Sequence, residues 1–151
     1  MNGKMTVTRM PNVGKLTAAC EKSLDFYRKK GPRACLAAAN WVAAEAKKIV
    51  PEEIKALGES IHVFSEGEGL KFVAYIGAGR KGFIWSGVNP NTGDMETDVP
   101  WNYAKRIHFG IGRNGGALTI KNGKDHRYLN TTIARREEIR AVFNTALLGA
   151  G

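Results

Sequence analysis

The sequence predicts a mixed fold of helices and antiparallel strands, and three observations carry that prediction. Apolar residues Val13, Leu16, Cys20, Leu24 and Tyr27 recur at helical spacing with lysines opposite. Ile61 and Val63 alternate with His62, and Leu70 to Ile76 alternates again after the turn Ser65-Glu66-Gly67-Glu68-Gly69, as two strands of a hairpin do. Leu129 to Leu147 places Leu129, Ile133, Ile139, Val142, Phe143, Ala146 and Leu147 on one side and Arg135, Arg136, Glu137 and Arg140 on the other. A chain of 151 residues suits one domain around one core.

In chain order, residues 1–12 form a polar arm closed by the breaker pair Pro11-Asn12, and residues 13–151 form a single domain. The first helix covers Val13 to Lys30. Gly31-Pro32 ends it, and Pro32 serves as the opening residue of a second helix that runs from Arg33 to Val50. That helix is rich in alanine, with Leu36, Trp41, Val42, Ile49 and Val50 as its larger apolar residues, so its backbone can lie close against a sheet or another helix. Pro51 stops it, and a short transition through Leu57-Gly58 leads to the hairpin. Residues 77–99 carry five glycines and the turn sequences Asn89-Pro90-Asn91 and Thr92-Gly93-Asp94. They read as one long loop, of the kind that binds something or orders on assembly. Pro100 to Gly110 follows, a short turn of helix bearing Trp101, Tyr103 and Phe109 and stopped by glycine. Ala117 to Lys121 is a third strand, bounded by Gly115-Gly116 and Asn122-Gly123.

Composition narrows the function. Lys plus Arg outnumber Asp plus Glu by 23 to 14, a net charge of +9 that favours a polyanion or an acidic protein surface as neighbour. The charge is spread along the chain without a compact basic tail. Cys20 and Cys35 are too few for a disulfide scaffold and read as small buried hydrophobes on helices, with a disulfide within or between chains as the alternative in an oxidising medium. The N-terminus lacks the apolar stretch of a secretory signal, and the run from Ala34 to Ala44, broken by Asn40, is too short to span a bilayer. The expectation is a soluble protein made in the cytoplasm, with no membrane partner.

No motif predicts catalysis. Gly77-Ala78-Gly79-Arg80-Lys81-Gly82 matches G-x-G-x-x-G in form, but Phe83-Ile84-Trp85 follows where a dinucleotide site needs a helix. It reads as a flexible turn, and no cofactor is expected. His62, His108 and His126 lack the spacing of metal ligands, and Ser60, Ser86 and Cys35 lack the context of a nucleophile. The expected class is therefore not an enzyme. Aromatic side chains dominate the energetics of protein contacts, which makes Trp85, Trp101, Tyr103 and Phe109 the candidates for a subunit or partner interface. Tyr103 and Phe109 fit the domain's own core equally well. Arg80, Lys81 and Arg113 stand on glycine-rich loops; they read first as solvated loop charges and, if the protein lines a DNA passage, as the candidates for weak, sequence-independent contact with DNA.

The order of these features resembles the tail-completion or neck proteins of long-tailed bacteriophages. In that family an alanine-rich helix ends at a proline shortly before a Leu-x-x-Ser-Ile strand start, matched here by Val50-Pro51 and Leu57-Gly58-Glu59-Ser60-Ile61. A hairpin and a Tyr-Ala-x-x-x-x-Phe-Gly element come next, the latter matched by Tyr103-Ala104-Lys105-Arg106-Ile107-His108-Phe109-Gly110. An aromatic-Leu pair opening the last helix is matched by Tyr128-Leu129. The resemblance covers residues 33–147, with His108 where the family often has an acidic residue and Glu52 to Ala56 where it often has Thr-Gly.

The resemblance implies an α+β fold, long helices packed on a small antiparallel sheet, arranged as subunits of a ring. It implies a structural virion protein at the head–tail junction, in a neck or tail-completion position. Such a ring joins the capsid connector to the tail and keeps the DNA channel continuous. Its partners would be its own copies, the adjacent connector and the tail-terminator or tail-tube proteins, with non-specific contact to passing genomic DNA. The alternative reading is a basic nucleic-acid-binding protein acting outside a particle, whose binding would weaken steeply with salt.

Overall fold

The computed structural model describes residues 12–51, 55–111, 115–118, 120 and 123–149. The fold is α+β. Helix α1 spans Val13–Ile49, and the short α2 spans Ala56–Glu59. Strands β1 (His62–Glu66) and β2 (Val73–Gly77) form one antiparallel pair, and β3 (Trp85–Val88) and β4 (Met95–Asp98) form a second, separate one. Helices α3 (Ala104–His108), α4 (Tyr128–Ile133) and α5 (Arg136–Leu148) complete the chain. The polar arm expected before Asn12 lies outside the described residues, as does Arg113.

The two helices expected on either side of Gly31-Pro32 are one. Proline removes the N–H that would bond to the carbonyl of Arg28, and it disfavours the helical region for the residue before it through a clash with that residue's Cβ. Here that residue is Gly31, which has no Cβ, so the second penalty is relaxed and the helix runs on. It ends where expected: Val50 turns extended before Pro51. The segment 124–125 satisfies the orphan carbonyls of its last turn, Lys124 Nζ donating to Lys48 O at 2.9 Å and the Asp125 amide to Ile49 O at 2.7 Å.

Only the C-terminal half of α1 is packed. Ala34, Ala38, Ala39, Val42, Ala43 and Ala46 are buried, and the small side chains let the helix sit close to β1–β2 on one side and α4–α5 on the other. The core joins Ala43, Ala46 and Val50 to Leu57, Ile61, Ala104 and Tyr128, with Val63 and Ile76 pressed on it from the first hairpin. That hairpin is in register His62↔Gly77 to Glu66↔Val73, with a 3₁₀ turn at Gly69–Lys71 in its loop. Gly69 closes directly on the Arg28 side chain, where a Cβ would stand 2.7 Å from its Cγ. From Arg28 back to Val13 the helix is exposed all round.

The last helix is broken in two at Ala134-Arg135. Arg135 supplies the physical reason. Its guanidinium donates to Glu45 of α1 at 2.8 Å and grips Glu138 of α5 with Nε at 2.8 Å and with a second nitrogen, while stacking 4.8 Å over the Trp41 ring. A straight helix through 134–135 would carry this side chain along its own face; the break turns it onto α1.

Lys48 and then Arg135 hold the Glu45 carboxyl below its ordinary 4.5, and Arg135 holds Glu138 below the same value. Carboxylates with depressed folded pKa values stabilise above the unfolded value and lose that contribution as pH falls through the folded one. The gap in melting temperature between the native chain and Arg135→Ala is therefore expected to be constant at neutral pH and to narrow as the pH drops below 4.5, leaving the part that comes from the stack on Trp41. Thermal melts across that range read it directly.

Candidate functional site

The segment between the second hairpin and α4 is a mounted aromatic element. A 3₁₀ turn at Pro100–Asn102 leads into α3, and Gly110 ends it in the left-handed region at φ +71°. Its inner side is anchored. Ala104 is buried in the core, with Tyr103 and Ile107 packed against it. The Tyr103 hydroxyl donates to Asp98 Oδ2 at 2.6 Å. His126 donates from Nδ1 to the His108 carbonyl at 3.1 Å, and its ring lies over Gly110. Its outer side is bare: Trp101 is 54% and Phe109 63% exposed. Trp101, Phe109 and Ile111 rim a shallow concavity with Ala78, Tyr128 and Leu129 in its wall.

Gly79 ties this element to the body. Its φ is +67°, and an added Cβ would stand 2.5 Å from Ala104 Cβ and 3.0 Å from the Pro100 carbonyl oxygen. The glycine of the G-x-G-x-x-G match thus serves close approach of two chain segments. Its amide donates to Ser60 Oγ at 2.9 Å, and that buried hydroxyl donates onward to Leu57 O at 2.6 Å. Ser60→Ala leaves the Gly79 amide without this acceptor and is expected to cost about 1–3 kcal/mol, measured by urea unfolding.

The residues expected to reach a partner divide. Trp101 and Phe109 are brought together on the surface. Tyr103 is spent inside the chain. Trp85 is a correction: it is only 6% exposed, because its indole folds across Gly87, two residues on along the same face. A Cβ on Gly87 would come within 2.5 Å of Trp85 Cζ2, so the missing side chain makes the room. Arg80 and Lys81 are exposed on the turn that follows Gly79. They therefore flank the aromatic element.

The long loop expected at 77–99 is a second correction, since it holds the β3–β4 hairpin in register Trp85↔Asp98 to Val88↔Met95. Its turn is stitched by Asn89, whose amide donates to Asp94 O and whose Oδ1 accepts from the Asn91 amide, both at 2.8 Å. The third strand expected at 117–121 is reduced, over its described residues, to a single bridge between Ile111 and Ala117. Cys20 was expected to be buried; it is exposed on the bare half of α1. Cys35 is half-buried, and burial pushes its thiol pKa up.

Among the described residues no group of three His, Cys, Asp or Glu side chains stands together to hold a metal ion. Among them, too, no helix is long and apolar enough to cross a membrane. No protein-family model matches the chain, and neither does any curated protein or solved structure. The surfaces missed in sequence are the apolar stripe on the bare half of α1, which reads as core by its spacing, and the outer face of β3–β4.

Proposed function

We propose that this chain is a structural subunit of a ring at the head–tail junction of a long-tailed bacteriophage, in a neck or tail-completion position. The ring joins the capsid connector to the tail and keeps the DNA channel continuous. The observation that carries this reading is the mounting of Trp101 and Phe109: two large rings held in solvent by an element whose other side is locked into the core. Rigidly presented aromatic side chains on a shallow concavity are the anchors of protein interfaces, where a few such residues supply most of the binding free energy. The order of motifs that resembles the tail-completion proteins supplies the place of that interface. Arg80 and Lys81, beside the element, suit weak contact with passing DNA.

Particles assembled with a Trp101→Ala, Phe109→Ala double variant in place of the native chain are expected to leave filled heads and tails unjoined. Both side chains are exposed, so the variant is expected to fold and melt like the native chain. Normal joined particles would sink the reading. Tight DNA binding by an isolated monomer, steeply weakened by salt, would put the nucleic-acid alternative in its place.

A further inference from the structure

Resting on that ring reading, we infer that the contact between neighbouring copies is made by the outer face of the β3–β4 hairpin of one copy seated on the bare half of α1 of the next.

Among the described residues, the helix side is an amphipathic surface with nothing packed on it. Val13, Leu16, Cys20, Leu24 and Tyr27 line one face of α1, and all of them are exposed. Among the described residues the stripe stands clear of the body: every position from Val13 to Arg28 is exposed, and the first hairpin meets α1 where Gly69 lies against Arg28. Fifteen residues beyond that point make a projection of about 22 Å at the rise of an α-helix.

The hairpin side has its polarity inverted. A half-buried strand normally turns apolar residues inward and polar ones to water. In β3–β4 the inner face carries Glu96 and Asp98 beside Trp85, whereas Val88 and Met95 face each other on the outer side, 56% and 71% exposed. Ile84, just before β3, is 64% exposed. The two hydroxyls between them, Ser86 and Thr97, lie 3.3 Å apart and bond to one another, so the outer face offers no charge. A lone two-stranded hairpin is marginally stable in water, and a helix laid across this face supplies the missing layer.

Charge selects the pairing. Between Val13 and Lys30 the five basic residues Lys15, Lys22, Arg28, Lys29 and Lys30 outnumber Glu21 and Asp25. Between Phe83 and Val99 the charged residues are Asp94, Glu96 and Asp98, all acidic. Opposite net charge of the two segments, carried in the hairpin by Asp94 at its turn and by Glu96 and Asp98 on its inner face, steers their encounter, whereas bringing the α1 stripes of two copies together would set like charge against like. Lengths agree as well: Leu16 to Leu24 covers about 12 Å of helix and Ile84 to Val88 about 13 Å of strand. Because the patches differ, the contact is heterologous; it leaves one free patch at each end of any open chain and is satisfied throughout only in a ring.

Leu16→Asp spoils the helix patch and Met95→Asp the hairpin patch, each at an exposed site where circular dichroism and melting should match the native chain. In analytical ultracentrifugation the native chain is expected to associate, and each variant alone to fall to the mass of one chain. An equal mixture of the two is expected to form a species of two chains and nothing larger, since one intact contact remains available. For weak association, cysteine placed at 84, 88 or 95 in a Cys35→Ala background should cross-link to Cys20 on mild oxidation as a ladder of multimers, lost in Cys20→Ser. Variants that assemble like the native chain, a mixture that stays monomeric, or no ladder from any of the three sites would each overturn the contact. Rings that survive both substitutions would refute the contact and leave the ring reading standing. Rings built through this contact but absent from the head–tail junction would refute the junction and leave the contact.

Discussion

Gly79→Ala is expected to destabilise the chain by about 2–5 kcal/mol and to lift the aromatic element off the body. Two costs add. Any residue with a Cβ is strained at the φ of +67° that Gly79 adopts, and the new methyl would sit 2.5 Å from Ala104 Cβ with the backbone of Pro100 and Trp101 close behind. None of these neighbours is the loose end of a long side chain, so the 100–104 segment itself has to move. Gly82 provides the control. It has a φ of +81° with nothing within 4 Å, so Gly82→Ala carries the backbone strain without the clash and is expected to cost about 1–2 kcal/mol. Urea unfolding of both variants separates packing from strain. Equal losses would contradict the close approach.

Leu57→Ala is expected to cost about 2–5 kcal/mol. Leu57 is fully buried at the meeting point of α1, α2 and the aromatic element, among Ala46, Val50, Ile61, Ala104 and Tyr128. Neighbours this small on the α1 side have no long side chains to swing into the hole, so the cavity stays open. Leu24→Ala, on the bare half of α1, removes the same atoms from water-exposed positions and is expected to change monomer stability by less than about 0.5 kcal/mol. The contrast is the test: two similar losses would mean that the α1 stripe is packed within its own chain.

The parts of the fold legible in sequence are those where local pattern and tertiary packing agree. Pro51 ends α1 because Val50, unlike Gly31, carries a Cβ that the proline ring would meet in the helical conformation. The first hairpin follows from Val63, Ala74 and Ile76 alternating around a glycine turn. The buried alanines of α1 follow from the close approach that small side chains permit.

Where the reading differed, a specific interaction overrode the local signal. Gly31 relaxes the constraint that Pro32 would impose on a residue with a Cβ, and so hides a continuous helix behind a breaker pair. Arg135 breaks an amphipathic run that has no glycine or proline in it, through partners on α1 some ninety residues away in sequence. The second hairpin was invisible because Trp-Ser-Gly-Val and Met-Glu-Thr-Asp are short, poor in β-branched residues and inverted in polarity. The candidate site was half legible for a related reason. An aromatic residue in sequence looks the same whether it faces out, as Trp101 does, or folds over a glycine, as Trp85 does. The same holds for the stripe of α1, whose spacing specifies a helix face without saying what covers it.

Electron cryomicroscopy of the purified chain, with its mass measured in solution and the same density sought in virions, tests the central claim most directly. The account predicts closed rings in which a β3–β4 hairpin touches the α1 of the adjacent copy, and a matching ring at the head–tail junction. A chain that stays monomeric at every concentration and is absent from the particle would contradict it.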